Sequence, residues 1–379
     1  MGKRAKQRER ERAFRRAPPG APPGTMHVGP DSGQRATLRL ICYGPDTIHE
    51  HEGHVEDLPA MLAAAEGSVV RWIDVVGVED LRALEAIGDA HQIHALALED
   101  VAHVHQRAKV EHYASHAFIT TRMFRRDANT AELDSEQISL FLGEGWLLTF
   151  QERDGDVFDA VRDRLRQARG RIRTLGADYL AYALLDAIVD SAFPILEAYD
   201  AWLDRIEERV VAGHSQGVVG ELHAVRRDLL QLRRGFWPLR EAMSALLREE
   251  TPFIALETHV FLRDCHDHSI QVLDLVDSWR EIGSSLMDLH LSAVGQRTNE
   301  TMRLLTVISV LFMPMSFVAG LYGMNFERSA SAWNMPELGW AYGYPMALLL
   351  MVGSALGFLY FFKRRGFLQA ADETFGGGR

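Results

Sequence analysis

Two uncharged stretches near the C-terminus limit what this chain can become. Residues 304–322 run for 19 positions and residues 338–362 for 25 without one Asp, Glu, Lys or Arg. A bilayer core of roughly 30 Å needs about 20 apolar residues in a helix that rises 1.5 Å per residue. Both stretches meet that length, so we expect two spanning helices joined by a short loop. Two buried helices of a large soluble core would be the alternative. The adjoining placement and the basic end Lys363, Arg364 and Arg365 favour spans. The mean hydropathy of −0.11 hides this, because the apolar residues are concentrated at one end.

Basic residues orient such a hairpin toward the cytoplasm. Arg297 and Arg303 precede the first stretch, and Lys363, Arg364 and Arg365 follow the second. The loop between carries Glu327, Arg328 and Glu337 and is nearly neutral. Both termini are therefore expected in the cytoplasm, with the protein as a multi-pass component of the cell's inner membrane. No apolar leader precedes the body of the chain, so the first 300 or so residues read as cytosolic. The formal net charge is −11, although residues 1–24 hold eight Lys/Arg and two Glu, so the rest carries −17. An acidic body beside a membrane suits cations as partners better than nucleic acid. Two cysteines without a CxxC spacing fit a reducing compartment.

The chain divides by pattern. Residues 1–35 read as a disordered basic tail with Pro and Gly repeats, foremost a solvated end, with a basic part able to touch anionic lipid. Residues 36–250 form a cytosolic body. Within it ATLRLICY and SVVRWIDVVG look like strands, residues 80–90 like an amphipathic helix, and VEHYASHAFITTRMF and EQISLFLGEGWLLTFQ like two more strand regions. Gly143-Glu144-Gly145 marks a hairpin turn. This predicts an α+β domain with a mixed or antiparallel sheet flanked by helices. Helical pattern then covers residues 157–171, 177–211 and 218–247. Residues 251–303 form a stalk that runs on into the first span, 304–322. If residues 253–320 are one helix, it is about 100 Å long, too long for a compact domain. An extracellular loop, 323–337, a second span, 338–362, and a basic cytosolic end, 363–379, complete the chain.

Along the first span Asn299, Met302, Thr306, Ser309, Met313, Ser316 and Gly320 are spaced alternately by three and four. That is a heptad seam. Gly295 and Asp288 extend it toward the N-terminus. A lipid-facing stripe would not collect Asn, Thr and two Ser. The seam is either a helix-packing interface or the lining of a pore made by several copies. A carboxylate at Asp288 would then form a negative ring at the cytosolic end.

The segments NETMRLLTVISVLFMPMSFVAGLYGMNFE, NMPELGWAYGYP and FFKRRGFL resemble the CorA family of magnesium and divalent-cation channels. Upstream, HALALEDVAHVHQRAKVE, SEQISLFL, FQERDGDVFDAVRDRLR, ADYLAYALLDAIVD, WPLREAMSAL and FLRDCHDHSIQ resemble the family's cytosolic domain. The resemblance implies a funnel-shaped homopentamer whose first span lines the pore. It implies transport of magnesium, with cobalt or nickel as further passengers, down the membrane potential and without an organic cofactor. By the same resemblance Gly323, Met324 and Asn325 form the outer ion-recognition site. Asp288, Asn299, Met302, Leu305, Thr306, Ser309, Met313 and Ser316 fall on the pore, with Met302 and Leu305 in a hydrophobic gate. Asp100 and Asp264 match a pair that binds regulatory magnesium between subunits, Glu99 and Asp186 match accessory acids, and Asp267 and His268 match a nearby metal-contacting pair.

Each assignment has a bland counterpart. Asn325 would serve as a helix C-cap, and either aspartate as a solvated acid. The run DCHDH, residues 264–268, offers Cys265 and His266 as soft ligands, but neighbours on a helix point about 100° apart and cannot share one ion. The loop 328–334 is longer than the compact family version, and Ser316 stands where Thr is common. Rival readings are a zinc transporter of the same family, and a membrane-anchored scaffold or sensor whose seam only joins stalks. A tethered enzyme has no nucleophile–base pairing or phosphate-binding glycine motif to support it.

Overall fold

The computed structural model describes Gly20, residues 22–27 and residues 35–367, apart from 128, 129, 215, 250, 328, 330 and 332. Most of the basic tail and the last residues of the basic C-terminus lie outside the described residues, as does Arg328. The chain divides into two compact units, Met1–Arg209 with Gln216–Met287, and Val210–Ser215 with Asp288–Arg379.

The first unit is built on one seven-stranded sheet. Its strands are β1 (Thr37–Tyr43), β2 (Ile48–Gly53), β3 (Val70–Val76), β4 (Lys109–His112), β5 (His116–Arg126), β6 (Leu133–Gly143) and β7 (Trp146–Gln151). Their order is β2-β1-β3-β7-β6-β5-β4. Among the described strands only β3 and β7 pair in parallel, so the sheet is mixed. Strand alternation sets its faces. Leu38, Leu40 and Cys42 of β1 share a core with Leu84 and Ile87 of α2 (Leu81–His91) and with Ala97, Leu98 and Val101 of α3 (Ala95–Ala102). Before them comes α1 (Leu58–Ala64). Asp80 starts α2 by accepting a bond from the Ala83 N–H, a satisfied N-cap. The Gly143-Glu144-Gly145 turn joins β6 to β7, and Gly145 has φ +72°, which glycine adopts without a Cβ clash.

Helices cover the opposite face. They are α4 (Asp159–Arg166), α5 (Ala177–Asp190), α6 (Ala192–Val211) and α7 (Val218–Arg248). Helix α5 lies against β3, β5, β6 and β7, and α7 against β4 and β5. Two helices depart from the sequence pattern. Helix α4 is shorter than the segment 157–171 suggested. The helix expected over 177–211 is two, broken at Ser191. Pro194 lies in the first turn of α6, where its missing N–H costs nothing. It would have broken an uninterrupted helix.

A cavity of about 570 Å³ opens at the C-terminal ends of β3 and β7. Arg162 spans its floor, donating to Asp74 at 2.6 Å and Asp159 at 2.9 Å and pairing also with Asp156. The charges around it answer one another, as Arg39 does Glu52. The cavity is therefore the mouth of an ion network tying α4 to the sheet.

Helix α8 (Leu256–Tyr322) is continuous for 67 residues, about 100 Å at 1.5 Å each. It carries Pro314 without ending. Helix α9 (Gly343–Arg364) follows a 3₁₀ turn at Pro336–Gly339. The apolar pattern placed the second span at 338, yet α9 begins at Gly343 because Pro345 belongs in a first turn. Its 22 residues still reach about 33 Å.

Among the described residues, three segments are long and apolar enough to cross a membrane. In residues 177–211 the most apolar window is 67% buried, against 11% in α8 and 6% in α9. The first is the core of the α/β unit. The other two present their apolar side chains outward, as spans in lipid must.

Candidate functional site

Acids meet where α5 faces α8 within the first unit. Asp186 and Asp190 stand one turn apart on α5. His268 of α8 brings Nδ1 to 3.3 Å from Asp190 and 3.9 Å from Asp186. The ligand-type atoms of the three lie within 4.8 Å of one another, a spacing one cation can bridge. Burial, then the neighbouring Asp190, pushes the Asp186 carboxyl up to about 6; Asp264 adds to the rise and His268 opposes it. Buried Asp186 Oδ1 and His268 Nδ1 have no hydrogen-bond partner. These are the signs of a site that gains from a positive guest.

Other sequence-expected residues take separate places. Asp264 acts on Asp186 from one turn before His268. Asp267 points to solvent beside His266, with 68% of its side chain exposed. Cys265 is fully buried, and burial together with the surrounding acids pushes its thiol pKa up, so it stays protonated. Glu99 accepts the Gly24 N–H at 2.6 Å.

Asp100, on α3, has its own surroundings. Gln106 Nε2 donates to Oδ1 at 2.6 Å and Lys109 Nζ to Oδ2 at 2.5 Å. The same ammonium donates to Glu111, whose other oxygen accepts from the Tyr113 hydroxyl at 2.9 Å. Burial works against the Lys109 charge, but the bonds to Asp100 and Glu111 outweigh it and raise its pKa. Pattern reading missed Asp190 and Lys109. Asp190 carried one signal, its spacing of four from Asp186 inside ADYLAYALLDAIVD.

In the second unit α8 is exposed on most sides. Asp288, Asn299, Met302, Leu305, Thr306, Ser309, Met313, Ser316 and Gly320 are all exposed. So are the apolar Leu304, Ile308, Phe312 and Phe317 off that seam, while Val307 and Val318 are buried. The Thr306 hydroxyl donates back to the Met302 carbonyl at 2.8 Å and turns its lone pairs outward. Among the basic residues, Arg303 donates to the Gly366 carbonyl at 2.5 Å and lies 4.7 Å from the Phe367 ring.

Helix α8 closes on the GMN triplet. The Gly323 N–H donates to the Ala319 carbonyl at 2.9 Å, and the Met324 N–H to Leu321 at 3.3 Å. A Cβ on Gly323 would lie 3.1 Å from the Ala319 oxygen, so the close turn favours glycine. Gly323 is not left-handed, so the ending is not a left-handed glycine cap. Gly323, Met324 and Asn325 are exposed at the helix end. Tyr322 is hydrogen-bonded to Glu337, which places the MPEL turn beside the triplet. The Asn334 amide closes the intervening loop on the Glu327 carbonyl at 2.8 Å.

A sequence model of the CorA-like Mg2+ transporter proteins matches residues 67–364. The chain belongs to the CorA-like Mg2+ transporter family. Among its CorA relatives, the cobalt/magnesium transport protein CorA of Thermotoga maritima is 41% identical over 349 residues, covering 92% of this chain and 97% of that one. A putative metal ion transporter of Bacillus subtilis, YfjQ, is 32% identical over 298 residues, 79% of this chain and 90% of that one. The complete structure of CorA from Methanocaldococcus jannaschii superposes with a TM-score of 0.73 at 20% identity, over 88% of this chain and 99% of that one. At that identity the likeness concerns the CorA fold: an α/β body, a long helix and two candidate spans.

Proposed function

We propose that this chain is one subunit of a divalent-cation channel of the inner membrane that admits magnesium, with cobalt and nickel as further passengers. Copies of the chain, five by resemblance, set their α8 stripes around one axis, with both termini in the cytoplasm. The observation that carries this reading is the polar composition of one seam of an otherwise apolar, exposed helix, Asn299, Thr306, Ser309 and Ser316, ending on exposed Asn325. In a span, a face left open and lined by Asn, Thr and Ser suits water and not lipid.

The chemistry follows from magnesium's reluctance to shed water. Amide and carbonyl oxygens at Gly323, Met324 and Asn325 hydrogen-bond an intact hydrate, and the absence of charge lets it leave. A doubly charged ion gains about 4.6 kcal/mol per 100 mV of membrane potential, twice the value for one charge. Met302 and Leu305 form an apolar ring that closes by dewetting. Asp100 and Asp264, from neighbouring subunits, hold a regulatory magnesium, with Glu99, Asp186, Asp190 and His268 beside it. Bare carboxylates repel and loosen the ring; bound magnesium stitches it shut, a two-state switch driven by differential binding.

The test is magnesium influx into proteoliposomes carrying the full chain or its Asn325→Ala variant. Influx falls at least tenfold in the variant, a loss of about 1.4 kcal/mol or more in ion recognition. Influx that survives the substitution removes Asn325 from the filter.

A further inference from the structure

Within the proposed regulation, Asp100 meets a cation that belongs to its own chain. Lys109 Nζ lies 2.5 Å from Asp100 Oδ2 and 2.5 Å from Glu111 Oε1. The ring of Phe118 sits below the ammonium at 5.7 Å. Lys109 is anchored at the start of β4, where it pairs with Thr120 of β5, so its reach to α3 is fixed by the sheet. Gln106 occupies the second oxygen of Asp100, and Tyr113 the second oxygen of Glu111. Asp100 is only 21% exposed on its side chain, so water screens the pair incompletely.

We infer that Lys109 is a tethered competitor for Asp100 and sets how much divalent cation the regulatory site requires. This rests on Asp100 being a ligand of that site. A magnesium ion needs oxygen ligands at about 2.0–2.1 Å and cannot share Asp100 Oδ2 with an ammonium in the same place. For the ion to bind, Lys109 must give up Asp100. Glu111 supplies the place to go: the ammonium already touches it, and a small shift keeps one full counter-charge. Asp100 and Glu111 thus play different parts. The first is contested by both cations; the second draws the lysine away. A site without Lys109 would present a bare carboxylate and fill at lower magnesium. A site without the Glu111 charge would leave Lys109 on Asp100 alone and fill at higher magnesium.

The experiment is limited proteolysis of the full chain in detergent micelles across a magnesium titration, reading the midpoint of protection. Lys109→Met lowers the midpoint about threefold or more, the scale of a partly exposed ion pair. Glu111→Gln raises it, and Lys109→Arg leaves it within about twofold. The opposite signs separate competition from simple damage, which would move both variants the same way. Lys109→Gln replaces Lys109→Met if the methionine chain does not fold. A midpoint unchanged or raised in the lysine variant, or one moved in the same direction by Glu111→Gln, overturns the inference. Asp264→Ala separates this from the underlying reading. If it weakens protection while the lysine variant leaves the midpoint in place, only the competitor role falls. If protection is untouched by Asp264→Ala, the inter-subunit site itself falls.

Discussion

Glu136 shows how a single buried residue couples this body to pH. It is fully buried on β6, with Arg125 at 2.6 Å and Arg153 at 3.5 Å. Burial outweighs both guanidinium groups and lifts its carboxyl to about 7. Between its ordinary value of 4.5 and about 7 the folded chain keeps a proton that the unfolded chain releases. Stability from this group is therefore complete below about pH 4.5 and is lost as pH rises through 7, on the order of 3 kcal/mol. Thermal melts at pH 5 and 7.5 should show a decline that Glu136→Gln reduces; equal declines in both chains would contradict the assignment. None of this was visible in EQISLFL, where Glu136 reads as a surface acid at a strand end. Partners from β5 and the loop after β7 had to be brought to it. Lys109 was hidden in the same way, since HQRAKVE does not say that the sheet carries its ammonium onto α3. Asn325 stood out as a candidate in the sequence, because its company of Gly323, Met324 and two apolar stretches is local.

At the scale of elements, short helix α4 depends on one side chain. Arg162 is 3% exposed and carries Asp74, Asp156 and Asp159 together. Asp74, 1% exposed, also accepts from Thr149 and Gln151, and burial raises its pKa despite Arg162. Removing one member of such a pair leaves the other uncompensated and costs about 3–5 kcal/mol. Chemical denaturation of Arg162→Met should show that loss, with much of it recovered on adding Asp74→Asn; a loss under 1 kcal/mol would mean that the network tolerates a bare aspartate. The elements themselves were largely legible. Strand alternation placed β1, β3 and the β6–β7 hairpin, and the three-four rhythm carried α8 across 67 residues. Hydrophobicity misled where proline decided the outcome, at Pro194 in the first turn of α6 and Pro345 in α9. By hydropathy alone the α5–α6 pair is also long and apolar enough for a span, although the sequence reading kept it in the cytosolic body; burial against β3, β5, β6 and β7 separates it from α8 and α9.

For the whole molecule, the central claim is that the open stripe of α8 borders water rather than another helix. Sequence spacing alone allowed either, and family membership tilts the reading toward a pore. The chain is well suited to a direct test, because its two native cysteines, Cys42 and Cys265, are both buried. Ser309→Cys places one thiol at the middle of the stripe, where Ser309 is exposed. The measurement is magnesium influx into proteoliposomes of this variant before and after a small, positively charged thiol reagent, with labelling quantified on the same sample. A lined pore predicts that labelling abolishes most of the influx, and that the unmodified chain is insensitive. Full labelling with influx unchanged would contradict the account and return the stripe to helix packing.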